Sequence, residues 1–553
     1  MTGYLRTAGV NARLDTAVAA HGTVAARRVA TRHTWTAGHE GRTAGYVKIA
    51  ATVPASPATR WSVLVTGGVH ARELAPPDAL VSFVEQLLGA YAAGTGVSYP
   101  AITTDGVTYP AFTVGPDEVL SVVERLNLVV APLVNADGRD FVLAPLPAGA
   151  SVDEQDLHKL WRKNRRPKPV VFTDERAGGV DVNRNFDVLF DFTKHYEVAV
   201  ADVHTSGDRV RDDYCGPAAG SEPETANLVK LFRDEGVGYY LDVHSFGRTI
   251  MYSWGIEANQ SDDQAKSFTN PAWDGRRDGA KRHAYDEYIP AAHHAASVAL
   301  ATQMCNDIAT RAAGPDAAAL RRSTYDPIPS ANMYVTSGAA DDYCFSRWFT
   351  AAQAGRPIRP VVALTMEAGG DVQKGADHQE GEFWPDHATQ FPKIEREIHV
   401  AVWSLLTQVA ATPVAAPSAP PPPAPVPSPT PQPSGSCLVA TTLYRDAEHP
   451  SVVFLRDVRD RQLPASDAGR RFATWLNAGY YRAAPPLAEW FTRHPVAARA
   501  ARLVVLAPLV RALRGVSAAT GRLPRARSLA LSAALGVVAA PVIAGVRVLR
   551  RPR

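Results

Sequence analysis

A histidine and a glutamate lie three positions apart just after a predicted strand. Of the 16 histidines in the chain, only His70 begins an H-x-x-E, which ends at Glu73. An imidazole and a carboxylate at this spacing can supply two of the three protein ligands that a catalytic zinc ion needs, with one position left open for water. The pair could equally be a surface-loop histidine beside a glutamate that starts a helix. Taken alone, the motif favours this surface-loop interpretation.

A third ligand has two candidates. His244 and His204 each end a short apolar run, and the carboxyl ends of strands are where open α/β sheets place their ligands. Zinc held by two histidines and a carboxylate lowers the pKa of its bound water toward about 7, which makes that water a nucleophile at neutral pH. His293 and His294, on an Ala-rich segment, are expected to be structural or solvated.

The elements that must position these residues alternate along the chain. Short apolar runs bounded by turn residues indicate buried strands at 61–67, 126–134, 239–244 and 361–366. Helical patterns follow them at 78–91, 222–235 (after a serine cap), 291–309 and 394–406. This order predicts an α/β/α sandwich around a mixed, mostly parallel sheet.

The bulk composition excludes several classes of protein. With 46% apolar and 20% charged residues the chain is globular, and 58 basic against 55 acidic residues, a net charge of +3, do not suggest nucleic-acid binding. The four cysteines form no CxxC pair, which excludes a cysteine zinc ribbon and a disulfide-rich scaffold.

Segments spread over most of residues 4–406 resemble, in the same order, the motifs of the carboxypeptidase A/B family of zinc peptidases. They are HARE (70–73), PLVNADGRDF (132–141), LWRKNRR (160–166), GVDVNRNFD (179–187), YCGPAAGSEPET (214–225), LDVHSFG (241–247), MYVTSGAADDY (333–343) and LTMEAGG (364–370). The resemblance implies the fold of that family and hydrolysis of the C-terminal peptide bond of peptides.

The resemblance also implies which residues do the chemistry. His70, Glu73 and His244 would hold one zinc ion, and His244 is preferred to His204 because it follows the Ser-Glu-Pro-Glu segment. Glu367 would be the general base. Arg162 would polarise the scissile carbonyl and stabilise the oxyanion.

Four further residues would bind substrate. Asn183 and Arg184 would grip the terminal carboxylate, to which a planar guanidinium can make two parallel hydrogen bonds. Tyr334 would close over the same carboxylate from a mobile loop. Arg72 would contact a more remote part of the substrate.

The preferred terminal residue depends on Asp341. If the tyrosine loop aligns without gaps, Asp341 faces the terminal side chain and Asp342 takes the structural position after it. A carboxylate there would favour terminal Lys or Arg. The alternative is an acidic loop in which Asp341 points to solvent, and both interpretations remain open.

The chain departs from the family's pattern in its spacing. Glu73 and His244 are 171 positions apart (244 − 73), more than is usual, and loop-like inserts at 94–118, 187–210 and 259–283 are expected to alter the rim of the active site. Neither an inhibitory prodomain nor an apolar signal segment is expected before the HARE motif.

Beyond the family resemblance lies a different C-terminal region. Eleven of the 21 residues at 413–433 are proline, which predicts a polyproline spacer. After it, the segments CLVATTLY (437–444), HPSVVFLRDVRD (449–460) and GYYRAAPPLAEW (479–490) together resemble the CFI-box C-terminal domain found at the ends of bacterial proteins. Cys437 is then either an attachment point or a buried structural residue. The apolar run 529–546, with arginines on both sides, predicts a membrane anchor or a helix on the membrane surface.

The predicted organisation is therefore a catalytic domain at 1–412, a Pro-rich linker at 413–436, a small helical CFI-box-like domain at 437–515 and a membrane-associated helix at 516–553. The expected location is the bacterial cell envelope, with the cytoplasm as the alternative. Two alternative functions are a peptidase or amidase acting on cell-wall peptides and a catalytically silent peptide-binding protein. The presence of Glu367 and Arg162 argues against the silent protein.

Overall fold

The protein was analysed as a computed structural model. It describes residues 3–51, 60–146, 148–198, 200–279, 285–353, 359–370, 382–415, 438–444, 450–466, 468–469, 471–472, 490–491, 494–520, 526–533 and 535. The chain divides into two compact units, Met1–Val426 and Pro427–Arg553. The domain boundaries inferred from the sequence remain predictions, and most of the Pro-rich linker and Cys437 lie outside the described residues.

An eight-stranded sheet forms the centre of the first unit. Its strands, in chain order, are β1 Ala30–Thr34, β2 Gly45–Ile49, β3 Trp61–Gly67, β4 Leu126–Ala131, β5 Tyr239–His244, β6 Thr249–Tyr252, β7 Asp326–Pro329 and β8 Val362–Glu367. Their spatial order is β7-β6-β8-β5-β3-β4-β2-β1. The four central strands are parallel, whereas β8 pairs with β6, β4 with β2 and β2 with β1 in the antiparallel sense.

Helices cover both faces of this sheet. They are α1 Thr7–His21, α2 Ala75–Ala93, α3 Pro116–Arg125, α4 Ala136–Val142, α5 Val152–Lys159, α6 Phe192–His195, α7 Pro223–Asp234, α8 Ala291–Asp307, α9 Ala317–Arg322, α10 Ala340–Gln353 and α11 Phe391–Ala411. Short strand pairs join Thr23–Val24 to Arg27–Arg28, Val97–Tyr99 to Phe112–Val114, Ile102–Thr104 to Val107–Tyr109, and Gln260–Ser261 to Glu287–Tyr288.

The alternation of side chains along β3 shows why the sheet is covered on both sides. Val63 and Val65 point into an apolar core shared with α1, α2, α3, α8 and α11, whereas Leu64 points into a second core shared with α7 and α10. A strand buried on both faces is expected to be apolar throughout, as β3 is. The sequence-based prediction of an α/β/α sandwich around a mixed, mostly parallel sheet is confirmed.

Element ends differ from the predictions for local reasons. Strand β4 stops at Ala131, before the predicted end at 134, because Pro132 has no N–H for the ladder. Helix α2 begins at Ala75, before the predicted 78, with its two prolines in the first turn, where no N–H is needed. The residue that caps α7 is Glu222, without a side-chain hydrogen bond, so the predicted serine cap is wrong.

The second unit is helical in its described part, as predicted. Its α-helices are Leu438–Tyr444, Pro450–Asp457, Pro495–Ala501 and Ala507–Ala519, and Val458, Leu463, Leu513 and Leu531 form a small apolar core. No helix in the described part of the chain is long and apolar enough to cross a bilayer. The apolar run 529–546, on which the predicted membrane association rests, lies mostly beyond the described residues.

Candidate active site

Three residues predicted as metal ligands converge at the carboxyl ends of β3 and β5. Glu73 Oε1 lies 2.6 Å from His70 Nδ1, Glu73 Oε2 lies 3.1 Å from His244 Nδ1, and the two Nδ1 atoms are 3.0 Å apart. All three side chains are at most 3% exposed. Their ligand atoms lie within 4.8 Å of one another, close enough to share one metal ion.

Each imidazole has a carboxylate behind it. Asp242 Oδ2 accepts a hydrogen bond from His244 Nε2 at 2.9 Å, and Asp181 Oδ1 lies 3.4 Å from His70 Nε2. Carboxylates in this position orient metal-ligating histidines and leave the other ring nitrogen free to bind the metal. Two histidines and a glutamate form a known donor set of catalytic zinc sites, so the residues present fit zinc.

Electrostatics keeps the central glutamate ionised. Burial opposes ionisation of Glu73, but the neighbouring His70 and His244 outweigh it and hold the pKa of Glu73 below its ordinary value. An ionised carboxylate is the form that a metal ligand requires.

Glu367 ends β8 beside this group. It is the Cα partner of His244 in the parallel pairing of β5 with β8, and it is 8% exposed. Its Oε2 receives no hydrogen bond from the described residues. Burial, and then the negative charge of Glu73, raise the pKa of Glu367 to about 8. A carboxyl group in this state can take up and release a proton near neutral pH.

Asn135 links the loop that carries His70 to the segment that carries Arg162. Its Nδ2 donates to Val69 O at 3.2 Å and to Lys163 O at 3.0 Å, and its Oδ1 accepts from Gly138 N at 2.9 Å. The side chain is fully buried. The Asn-Ala-Asp-Gly turn after β4 therefore fixes the loop that carries His70 against the segment that carries Arg162, and the sequence analysis assigned it no such role.

Asp181 connects Arg162 to the predicted metal ligands. Its Oδ2 accepts from Arg162 Nε at 2.8 Å, while its Oδ1 faces His70 and accepts from Asn183 N at 2.9 Å. Burial would raise the pKa of Asp181, but the positive charges of Arg162, Arg184 and His70 lower it well below its ordinary value. Asp181 was not among the predicted site residues, although it lies two positions before Asn183 in the segment GVDVNRNFD (179–187).

An open cleft of about 980 Å³ borders Arg162, and Arg72, Arg184, His204 and Tyr334 are among its other lining residues. Arg184 donates from Nε to His204 O at 2.6 Å and from Nη1 to Asn183 O at 2.7 Å. The Arg184 guanidinium lies 5.7 Å from the centre of the Tyr334 ring. Arg184 and Tyr334, two predicted substrate-binding residues, therefore lie close together in the cleft.

Asn183, the residue before Arg184 in the chain, is mostly buried. Its Oδ1 accepts from Ala340 N at 2.7 Å, which ties it to the start of α10. Asn183 is 9% exposed.

Arg72 also lines the cleft. Its Nη1 donates to Leu160 O at 3.1 Å and pairs with Asp212 Oδ2 at 3.0 Å, while its guanidinium stacks on Phe383 at 4.4 Å. Asp212 belongs to a loop that the sequence analysis did not single out.

Asp341 is buried rather than directed into solvent. It is 5% exposed, and its Oδ2 accepts from Ser330 Oγ and from Thr365 Oγ1, both at 3.1 Å. The next residue, Asp342, is fully buried and accepts from Gly255 N at 3.0 Å. Burial, and then the charge of Asp341, raise the pKa of Asp342 well above its ordinary value.

A second group of side chains has the composition of a cation site but is better explained as a structural network. Its members are His39, Glu222 and Glu224. Glu222 is engaged by His39 Nε2 at 2.8 Å, by Arg166 Nη1 at 2.7 Å and by Asn164 Nδ2 at 2.9 Å. Asn164 also donates to Glu224 at 2.9 Å. The amide and the guanidinium occupy the positions around Glu222 that a cation would need.

Comparison with known proteins gives a family match over most of the first unit. The family described as zinc carboxypeptidase matches residues 23–393, which are 371 of the 553 residues (393 − 23 + 1). A carboxypeptidase B of Helicoverpa zea is 25% identical over 224 residues, 40% of this chain and 41% of that protein. A carboxypeptidase B of Astacus astacus is 27% identical over 231 residues, 41% of this chain and 57% of that protein. The chain therefore spans 41% of the length of the Helicoverpa zea relative and 57% of the length of the Astacus astacus relative.

Solved structures show a weaker likeness. A carboxypeptidase A from Helicoverpa armigera has 18% identity and a TM-score of 0.46, covering 73% of this chain and 74% of that chain. Thrombin activatable fibrinolysis inhibitor has 16% identity and a TM-score of 0.49, covering 74% of this chain and 75% of that chain. At these TM-scores the likeness adds no argument to the family match.

Proposed function

Because this chain belongs to the zinc carboxypeptidase family, we propose that it hydrolyses the C-terminal peptide bond of peptides or proteins, with one zinc ion per catalytic domain. One observation carries the proposal. His70, Glu73 and His244 converge within 4.8 Å, and Glu367 stands beside His244 on the adjacent strand. A metal site with a base beside it is the minimum that zinc-assisted hydrolysis requires.

His70, Glu73 and His244 would hold the zinc ion. Zinc bound there would act as a Lewis acid and bring the pKa of a water molecule toward about 7. Asp181, whose Oδ1 lies 3.4 Å from His70 Nε2, would keep the His70 imidazole in the orientation that presents Nδ1.

Glu367 would move the proton. Its Oε2 is available, since no described residue donates to it, so it can take the proton of the attacking water and pass it to the leaving amine. Burial and the charge of Glu73 raise the pKa of Glu367, which favours the protonated form that must persist between the two transfers.

Arg162 would stabilise the charge that develops on the scissile carbonyl oxygen. Asp181 engages its Nε at 2.8 Å, which fixes the plane of the guanidinium and directs its two terminal amino groups. A donor held in advance where charge develops is worth far more than one that must reorganise.

The substrate's terminal carboxylate would bind at Arg184, Asn183 and Tyr334. Arg184 and Tyr334 line the cleft together, and hydrogen bonds to His204 O and Asn183 O hold the guanidinium in place. A fixed guanidinium can bind a carboxylate with two parallel hydrogen bonds. Arg72 would contact the substrate farther from the scissile bond.

Asp341 would select terminal Lys or Arg. Thr365 and Glu367 are two positions apart on β8 and point to the same side of the sheet, so the hydrogen bond from Thr365 places Asp341 on the Glu367 side. No described basic side chain forms an ion pair with Asp341 in the structure. A buried carboxylate without a cationic partner gains a large stabilisation from a substrate cation.

The natural partners are then peptides or proteins with a free C-terminus. Membrane association and a location at the bacterial cell envelope rest on the C-terminal segment and remain predictions. The alternative cell-wall peptidase would use the same metal chemistry with a different specificity pocket.

A direct test uses the full chain and blocked dipeptides ending in Arg, Lys, Phe or Glu. We expect one zinc ion per chain and release of the terminal residue that a chelator abolishes and added zinc restores. Glu367→Gln should retain zinc and lose about 10²- to 10⁴-fold in turnover. Zinc-independent hydrolysis, or full activity in Glu367→Gln, would contradict the proposal.

A further inference from the structure

Strand β5 carries a buried carboxylate in an otherwise apolar segment. Asp242 is 1% exposed, and its chain neighbours Leu241 and Val243 are fully buried in the apolar core. Burying an isolated carboxylate is costly, so buried carboxylates are paired or hydrogen-bonded. The partners of Asp242 therefore indicate what it does.

Those partners lie on one face of the sheet. Asp242 and His244 are two positions apart on β5, so their side chains point to the same side. Thr66 on β3 is the Cα partner of Asp242 in the parallel pairing. Thr66 Oγ1 donates to Asp242 Oδ1 at 2.7 Å, and Asp242 Oδ2 accepts from His244 Nε2 at 2.9 Å. The hydroxyl of Tyr240 lies 2.9 Å from Thr66 Oγ1 and extends the chain of polar contacts.

The two carboxylates behind the imidazoles are not equivalent. Asp181 serves Arg162 at 2.8 Å as well as facing His70 at 3.4 Å. Asp242 has one basic partner among the hydrogen bonds and ion pairs of the described residues, and that partner is His244.

We propose that Asp242 is a positioning residue for zinc binding: it accepts the Nε2 proton of His244, which fixes the ring and leaves Nδ1 as the metal-binding nitrogen. The inference rests on the proposed zinc site, and it adds a residue that acts through His244 without touching substrate. Thr66 supports this role by donating to Oδ1 of the carboxylate, while Oδ2 accepts from the imidazole.

The test is the zinc affinity of the full chain, measured by competition with a chelator, alongside thermal unfolding of the zinc-free protein. In Asp242→Asn the amide can present a donor to Nε2 and favour the wrong tautomer. Zinc affinity should fall about 10- to 100-fold, with the unfolding temperature of the zinc-free protein little changed. Unchanged zinc affinity in Asp242→Asn would overturn the inference, whether or not the wild-type chain hydrolyses peptides.

A pair of variants at Thr66 keeps the inference testable if Asp242→Asn does not fold. Thr66→Val removes the hydroxyl and should weaken zinc binding about two- to tenfold, whereas Thr66→Ser keeps the hydroxyl and should bind as the wild type does. Equal zinc affinity in Thr66→Val, Thr66→Ser and the wild type would also overturn the inference. Tight zinc binding without hydrolysis in the wild type would contradict the proposed function and leave this test intact.

Discussion

The imidazole ring of His204 stacks on the phenol ring of Tyr334, with ring centroids 4.8 Å apart and planes inclined at 25°. His204 was considered as a metal ligand in the sequence, but the structure places its ring in the cleft and its carbonyl on Arg184. It therefore contacts Arg184 and Tyr334, two of the three residues proposed to bind the substrate's carboxylate. Its position within the predicted insert 187–210 shows that this insert helps to form the cleft.

Replacing His204 tests whether the stack positions Tyr334. His204→Ala removes the ring but keeps the backbone contact with Arg184, and we expect KM to rise about two- to tenfold with a smaller change in kcat, because an aromatic pair contributes about 0.5–1.5 kcal/mol. His204→Phe keeps a ring and should restore KM. A KM in His204→Ala equal to that of the wild type would show that the stack does not position the tyrosine.

Arg184→Lys tests the carboxylate clamp. Lysine keeps the charge but cannot make two parallel hydrogen bonds to a carboxylate. Because a charged hydrogen bond contributes about 1.5–3 kcal/mol, kcat/KM should fall about tenfold to a hundredfold. Arg211→Lys is a matched control, since Arg211 lines the same cleft but is exposed and pairs with Asp213. Equal losses in both variants would refute a specific role for Arg184.

Asp341→Asn tests the preference for basic terminal residues. The amide keeps the size of the side chain and removes its charge, so kcat/KM for a terminal Arg should fall at least about 30-fold relative to that for a terminal Phe. Asp342→Asn is the control, because Asp342 bonds to Gly255 N and should leave this ratio unchanged. A ratio unaffected by Asp341→Asn would remove Asp341 from the specificity pocket.

Glu224 makes the stability of the first unit depend on pH. Burial raises the pKa of Glu224 to about 7, so the folded state keeps a proton that the unfolded state loses near pH 4.5. The contribution is fully present below that pH and is lost as pH rises toward 7, at about 1.4 kcal/mol per pH unit at most. Glu224→Gln mimics the protonated acid, and we expect its unfolding free energy to vary less between pH 5 and 8. Identical pH profiles for the variant and the wild type would contradict this account.

The sequence predicted the sheet well because buried parallel strands are continuous apolar runs. The bounds of β3 and β5 match their predicted ranges, and Glu367 lies at the end of β8, one position beyond the predicted run. His70, Glu73, His244 and Glu367 lie near one another because they end or follow β3, β5 and β8, which are neighbours in the sheet.

The residues that orient this site were not predicted, because their contacts join distant parts of the chain. Asn135 bonds to carbonyls 66 and 28 positions away. The sequence does contain a signal for Asp242, since a carboxylate within an apolar strand needs a buried partner. That partner, Thr66, is 176 positions away. Neither set of contacts can be inferred from sequence spacing alone, whereas the register of β5 against β3 places Asp242 opposite Thr66.

The most direct test of the central claim offers one peptide ending in Arg to the full zinc-loaded chain, both as the free acid and as the C-terminal amide. Cleavage of the terminal peptide bond is measured for each form. We expect release of the terminal Arg from the free acid and loss of cleavage at that bond in the amide, because Arg184 and Tyr334 are proposed to bind the carboxylate. Equal cleavage of both peptides, or cleavage only at internal bonds, would contradict a carboxypeptidase.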